Sequence, residues 1–201
     1  MRVLLIGSPF ANLANIERAL RFAGAEVEVS VDPGRIRSAT RVVLPGVGSF
    51  AASAKWLRDT SLEPAIHEAV ARGAWFLGIC VGHQLLFSES TEMGLTRGIG
   101  LISGTVGRFN TALPVPQIGW NSVRLSDVPL FEGVPSQTSF YFVNSYRAAD
   151  VPAAAEIGVA SYGERFPAAV QKGRVAGVQF HPEKSSVQGI RVLQNFVRIS
   201  C

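Results

Sequence analysis

Ala74-Trp-Phe-Leu-Gly78-Ile-Cys80-Val-Gly82-His-Gln84-Leu-Leu86 runs from a short apolar strand pattern, through a glycine-flanked cysteine, straight into a helical pattern. A strand that hands over to a helix in so few residues belongs to a parallel sheet covered by helices, and this sets the fold class. The junction itself, Gly-x-Cys-x-Gly, has the form of a nucleophile elbow. Gly78 and Gly82 permit a tight, strained turn and close approach of a substrate. A helix beginning at Val81 places its positive end beside the Cys80 sulfur and favours the thiolate. The competing reading is a free cysteine buried at the end of a strand, as free cysteines commonly are. Glycines on both sides favour the elbow.

Working outward, Val3–Ile6, Glu26–Val31, Arg41–Leu44 and Ala74–Ile79 are strand candidates separated by helical patterns. Leu13, Ile16 and Leu20 recur at helical spacing behind an Asn12 cap, and Leu62, Ile66 and Val70 do the same before Arg72-Gly73. This half reads as a doubly wound α/β unit. From Gly100 onward, strand formers are separated by Pro and Gly: Leu101–Phe109, Ser122–Leu125, Ser139–Tyr146, Glu156–Tyr162, Ala168–Gln171 and Arg174–Phe180. These predict mostly antiparallel strands. A closing amphipathic helix carries Val187, Ile190, Leu193 and Val197 and is expected to pack on the sheet. With no linker or repeat, residues 1–201 are expected to form a single domain: α/β, a mixed central sheet with flanking helices, and additional antiparallel strands in the C-terminal half.

Composition narrows the function. Hydrophobic residues make 47% of the chain and charged residues 17%, which suits a packed core and excludes a disordered protein. The formal charge is +4, but the 19 Lys and Arg are dispersed without a run, so neither nucleic acid nor a membrane surface is indicated. Cys80 and Cys201 are far apart in sequence, which argues against a disulfide framework and fits a reducing cytoplasm. No apolar stretch reaches membrane-spanning length and no signal sequence is seen, so a cytoplasmic location is expected.

A cysteine nucleophile needs a base, and there are three histidines. His67 falls on the polar side of a helical pattern. His83, in the first turn after Cys80, would point along the helix rather than back to the sulfur. His181 ends a strand, and in His181-Pro182-Glu183 the carboxylate can hold the imidazole in one tautomer. An isolated His-x-Glu is commonly a surface pair; beside the elbow it reads as catalytic. For the oxyanion, the backbone amides of Val47 and Gly48 in Leu44-Pro-Gly-Val-Gly-Ser-Phe50 are candidates, with that of Val81. Glycines around Val47 let its peptide rotate, so this hole can exist in one conformation and be absent in another. The bland reading of that loop is an ordinary βα turn. Gly98-Ile-Gly100 does not continue into a dinucleotide fingerprint, and the cysteines and histidines form no ligand cluster, so no cofactor and no metal are expected.

The elbow at Cys80, the turn at Pro45–Phe50 and His181-Pro-Glu183, in this order, resemble class I glutamine amidotransferase domains over essentially the whole chain. The resemblance implies a flavodoxin-like amidotransferase fold. Pro45-Gly-Val-Gly-Ser-Phe50, Val115-Pro-Gln-Ile-Gly-Trp-Asn-Ser-Val123, Tyr141-Phe-Val-Asn-Ser-Tyr-Arg-Ala148 and Gly177-Val-Gln-Phe-His-Pro-Glu-Lys-Ser-Ser186 are similar to the glutaminase subunits of imidazole glycerol phosphate synthases. By that resemblance Cys80 attacks the glutamine side-chain amide, His181 passes a proton to the departing ammonia, and Glu183 orients His181. The ammonia then passes to a separate cyclase (βα)8-barrel subunit in a heterodimer, for imidazole glycerol phosphate and AICAR synthesis. Gly48, Gln84, Ser145 and Tyr146 match glutamine-binding positions, the last two through their backbone; Asn12, Asn15, Trp120 and Tyr141 match positions facing the barrel. Asn12 can equally be only a cap, Asn15 a solvated helix residue, Trp120 core filler and Tyr141 a strand aromatic. The chain departs from the family where it has Gln117 and Asn144 for His, and His83 for Met. A related subunit feeding a different synthase is the alternative.

Overall fold

A computed structural model describes residues 1–200. Five parallel strands form one end of a nine-stranded sheet: β1 (Arg2–Ile6), β2 (Glu26–Ser30), β3 (Arg41–Gly46), β4 (Trp75–Cys80) and, from the far end of the chain, the last strand. Between them lie α1 (Leu13–Phe22), α2 (Pro33–Ser38), α3 (Phe50–Asp59) and α4 (Leu62–Ala71), and α5 (Val81–Gln84) follows β4 without a break. Then come β5 (Glu89–Ser90), β6 (Thr96–Arg97), β7 (Thr105–Arg108), β8 (Gln117–Leu125), β9 (Gln137–Asn144), β10 (Tyr146–Ala149), β11 (Glu156–Ser161), β12 (Arg165–Lys172), β13 (Val175–Val178) and α6 (Ser186–Arg198). The large sheet has the order β2-β1-β3-β4-β13-β12-β11-β8-β9, and β10-β7-β5-β6 make a smaller one.

The switch in strand direction places the site. β13 pairs with β4 in parallel and with β12 antiparallel, so it joins the doubly wound half to the antiparallel half. Because β4 and β13 run the same way, their C-terminal ends emerge side by side: Ile79 pairs with Val178, and the next residues along are Cys80, the last of β4, and Gln179, just past β13. Carboxyl ends of adjacent parallel strands are where α/β sheets present their chemistry. The strands of this half are apolar on both faces; every residue of β3 and β13 is buried, as expected of strands covered on two sides.

Three expectations need correction. The run Ser139–Tyr146 is two strands, because the chain leaves the large sheet after Asn144 and enters the small one at Tyr146, with Ser145 as the corner. The run Leu101–Phe109 pairs only over Thr105–Arg108; before it the amides of Ile99 and Ile102 donate to the carbonyls of Leu85 and Leu86, so this segment clamps the end of the elbow helix instead of forming a strand. On α6, Val187 is 72% exposed, whereas Val192, Leu193, Phe196 and Val197 are buried. The apolar stripe starts one turn later than the periodicity suggested.

α6 also carries a contact that matters for the site. A Cβ on Gly189 would lie 2.0 Å from the Pro182 carbonyl oxygen and 2.7 Å from the Ser185 Cβ. Gly189→Ala is therefore expected to lower stability by about 1–3 kcal/mol through overpacking, read as a shift in the urea midpoint at unchanged m-value.

Candidate active site

Cys80 is the last residue of β4 and sits at φ 56, ψ −109, a left-handed conformation that costs a non-glycine residue about 1–3 kcal/mol. Its neighbours make the turn feasible. A Cβ on Gly78 would come within 2.4 Å of the Gly82 carbonyl oxygen, and one on Gly82 within 1.9 Å of that of Leu44. Strand, turn and helix are thus packed backbone to backbone, and only glycine fits at either flank. The result is a buried cysteine, 4% exposed, held at the start of α5.

His181 follows β13 and opens a short turn, Pro182–Lys184. Its Nδ1 lies 2.8 Å from Glu183 Oε1, with the two side chains only 4% and 2% exposed. Nδ1–H donates to the carboxylate, which leaves Nε2 to face Cys80. Burial works against the imidazolium, yet the hydrogen bonds to Cys80 and Glu183 and their negative charges outweigh it, raising the pKa to about 10. The turn is tied down from both sides: His181 N donates to Tyr141 O at 2.9 Å, Ser185 Oγ donates to His181 O at 2.6 Å, and Tyr141 N donates to Ser185 Oγ at 2.9 Å.

Because the folded pKa lies above the ordinary 6.5, the stabilisation of the imidazolium is fully present below pH 6.5 and is lost as pH rises through about 10. The stability advantage of the native chain over His181→Gln is accordingly expected to be largest at pH 6 and to shrink by pH 10, as measured by urea denaturation across that range.

The other histidines stay apart from this chemistry. His83 is fully buried, its ring edge-on to Phe87 at 5.2 Å. Burial pushes it down to about 3, so it packs as a neutral aromatic. His67 is on the exposed side of α4. The sequence expectation involving Cys201 lies outside the described residues.

Cys80 and His181 open into a cleft of about 340 Å³ lined also by Val47, Gly48, Val81, Gln84, Ser145 and Tyr146, so the oxyanion and substrate candidates converge there. Two details refine them. The Val47 N–H donates to Phe10 O at 2.5 Å and so is already engaged. Gln84 Nε2 donates to both Tyr146 O, at 3.1 Å, and Gln179 Oε1, at 3.0 Å, so its Oε1 is what remains for a ligand.

Three residues in the site escaped the sequence reading. Glu92 is buried and lines the cleft, with Oε2 accepting from Phe50 N at 2.9 Å, at the start of α3. Lys184 lines the cleft with its ammonium 5.8 Å over the Tyr141 ring. Gln179 is fully buried, its Nε2 3.8 Å from Cys80 Sγ. A period-two reading of Gly177, Gln179 and His181 would have put Gln179 on the same side as the histidine.

The remaining candidates lie outside the cleft. Trp120 and Tyr141 face each other across β8 and β9, edge to face at 6.1 Å, with Trp120 56% exposed. Ile118 and Val143 are exposed beside them, and Val143 reaches the cleft. Asn12 caps α1 by accepting from Asn15 N, and Asn15 lines a separate groove with Glu183, Arg18 and Phe22. Gln117 and Asn144 pair in register between β8 and β9, both buried. No helix among the described residues is long and apolar enough to cross a membrane.

The sequence profile of the family described as Glutamine amidotransferase class-I matches residues 8–199. The chain is 44% identical to the imidazole glycerol phosphate synthase subunit HisH of Herpetosiphon aurantiacus, over 98% of this chain and 94% of that one. It is 43% identical to the HisH subunit of Methanosarcina mazei, over 98% of each. Among solved structures, one described as a glutamine amidotransferase superposes at TM-score 0.77 with 18% identity, covering 97% of this chain and 96% of that chain. A glutamine amidotransferase from Thermotoga maritima superposes at TM-score 0.65 with 21% identity, covering 95% of this chain and 80% of that chain. These two likenesses concern the fold.

Proposed function

The chain belongs to the class I glutamine amidotransferase family and, within it, to the HisH subunits of imidazole glycerol phosphate synthase, and on that premise we propose that Cys80, His181 and Glu183 are its catalytic triad. The protein is the glutamine amidotransferase subunit of that synthase, acting in histidine biosynthesis. The observation that carries the residue assignment is the pairing of β4 with β13, which sets a strained cysteine beside an imidazole already oriented by a buried carboxylate.

Cys80 Sγ attacks the side-chain carbonyl carbon of glutamine, forming a C–S bond and an oxyanion. His181 enters this step carrying its proton, as its raised pKa requires, and gives it from Nε2 to the amide nitrogen as the C–N bond breaks and ammonia leaves. The neutral imidazole then takes a proton from water attacking the thioester; glutamate is released and the sulfur regains its electron pair. Glu183 holds the Nδ1–H throughout, and its charge offsets the imidazolium.

Glutamine is held by groups of opposite character. The Glu92 carboxylate suits the substrate's α-ammonium. The carbonyls of Ser145 and Tyr146 are already taken, by Phe109 N and by the Gln84 and Asn144 amides, so what this corner offers a ligand is N–H, which suits a carboxylate. Gly48 and Val81 amides supply the oxyanion hole, joined by Val47 once its peptide turns from Phe10. Gly48, at φ +85, is where that rotation is absorbed.

The partner is a cyclase (βα)8 barrel, docking on the face of Ile118, Trp120, Val143 and the half-buried Tyr141, and contacting Asn12 and Asn15. That face runs into the mouth of the cleft through Val143, so a docked subunit would cap it and receive ammonia. Docking and the turning of Val47 would be coupled, which makes the lone chain a poor glutaminase. The test is glutamate release by the chain alone, then with an imidazole glycerol phosphate synthase barrel subunit and its nucleotide ligand. Strong stimulation supports the partner; turnover indifferent to the barrel would leave the chemistry and remove this assignment.

A further inference from the structure

We propose that Gln179 is a positioning residue for the nucleophile, donating a hydrogen bond to Cys80 Sγ in an orientation imposed by Gln84 and the Tyr146 carbonyl. The inference rests on Cys80 being the attacking group.

Gly177 on β13 faces the elbow helix: a Cβ there would lie 2.6 Å from Leu86 Cδ1, and Gln179 follows two residues on. Gln179, the residue after β13, still bonds β12 through its amide to Ala168 O and turns its side chain to the Cys80 sulfur. Its Nε2 is 3.8 Å from Sγ, within reach for a sulfur acceptor, and its Oε1 accepts from Gln84 Nε2 at 3.0 Å. The sulfur thus has two neighbours two residues apart on one chain, one of them charged and one neutral.

An amide presents a donor at one end and an acceptor at the other, and rotating it by half a turn exchanges them. Here the exchange is blocked. The Tyr146 carbonyl can only accept, and Gln84 lies against it at 3.1 Å, so Gln84 must turn its NH2 that way. The same NH2 faces Gln179, which must answer with its oxygen. Gln179 is left with N–H toward Sγ. Flipping either amide would set oxygen against oxygen or N–H against N–H in a buried place, with the penalty of unsatisfied polar groups. A backbone carbonyl on β10, in the small sheet, so fixes which end of an amide the nucleophile sees.

A neutral donor stabilises a charged sulfur and fixes its direction without offering a second proton in competition with His181. It also links the nucleophile to Gln84, which lines the substrate cleft, so that a glutamine engaging Gln84 Oε1 would press on the chain that holds the sulfur. The charged or titratable groups around this sulfur are His181 with Glu183 behind it, Glu92 from the loop after β5, Lys184 from the following turn and Tyr146 on β10.

The experiment compares Gln179→Met and Gln179→Glu with the native chain, in complex with the barrel subunit, reading kcat, KM and the pH profile of Cys80 alkylation by iodoacetamide. Met removes the donor. Glu keeps an acceptor for Gln84 but sets an anion beside the sulfur. The expected result is a kcat loss of roughly 10- to 100-fold for Met, the range of one hydrogen bond to a charged group, and a larger loss for Glu. KM should change by less than about threefold, and the alkylation midpoint should move to higher pH, further for Glu. If folded variants keep kcat within about twofold and the midpoint does not move, Gln179 only fills space and the proposal is overturned. Should neither variant fold, the native chain decides: the Gln179 side-chain NH2 resonances must shift when Cys80 is alkylated, and their failure to shift overturns the proposal. Cys80→Ala runs alongside. Retained hydrolysis there would bring down the triad itself, whereas its loss with unaffected Gln179 variants would bring down this inference alone.

Discussion

Replacing Cys80 by alanine is expected to lower glutamine hydrolysis by about 10⁴-fold or more while leaving the fold and barrel binding intact. The size follows from the chemistry. Without the sulfur there is no thioester, and the donors that remain can only polarise the amide for attack by water. A 10⁴-fold loss corresponds to about 5.4 kcal/mol of transition-state stabilisation. The fold should survive, because alanine at φ 56 meets much the same backbone strain as cysteine, although the share of the His181 imidazolium's stabilisation that comes from Cys80 is lost. The measurement is glutamate release by the purified complex, with the urea midpoint of the isolated variant as control. Residual hydrolysis within a hundredfold of native would mean that another group attacks.

Gly82→Ala should do its damage through the backbone. The added Cβ would lie 1.9 Å from Leu44 O and 2.9 Å from the same carbonyl carbon, atoms of a strand that cannot yield without unpairing from β4. Either α5 lifts from β3 or β3 shifts, and both displace the amides of Val47, Gly48 and Val81 relative to Sγ. The expected outcome is destabilisation above about 3 kcal/mol and, in whatever folds, a glutaminase loss of more than about 100-fold from a misplaced oxyanion hole. Chemical denaturation and turnover of the same preparation check the two halves. A variant of native stability and native turnover would show that the backbone packing around the elbow is slack, contrary to the geometry. Gly48→Ala offers a contrast, since nothing lies within 4 Å of a Cβ there and the strain comes from φ +85 alone. Its effect should fall on the turning of the Val47 peptide, hence on barrel stimulation more than on stability.

What could be read in the sequence was local. The elbow is declared by two glycines around one cysteine, and the His-x-Glu pair by spacing alone, because both are built within a few residues of backbone. The parallel half was legible for the same reason: each buried strand is a short apolar run with a helix on either side. Contacts that join distant segments were not legible. Glu92 reaches an amide on α3, Gln179 reaches a sulfur on another strand, and the Val47 amide is held by a carbonyl after β1. None of these leaves a periodic trace. The break at Ser145 was hidden because both strands it separates are made of strand formers, and only the two-sheet arrangement shows where one ends. The exposed Trp120 and half-buried Tyr141 could be singled out by resemblance, but their ring contact comes from the β8–β9 register.

The most direct test of the central claim is to stop the reaction in acid during steady-state turnover of glutamine by the barrel complex and map covalent adducts by mass spectrometry. A glutamyl thioester is expected on the peptide carrying Cys80 of the native chain, absent from Cys80→Ala and strongly reduced in His181→Gln, which lacks the proton that lets ammonia leave. Turnover with no adduct in any variant, or an adduct on a residue other than Cys80, would contradict it.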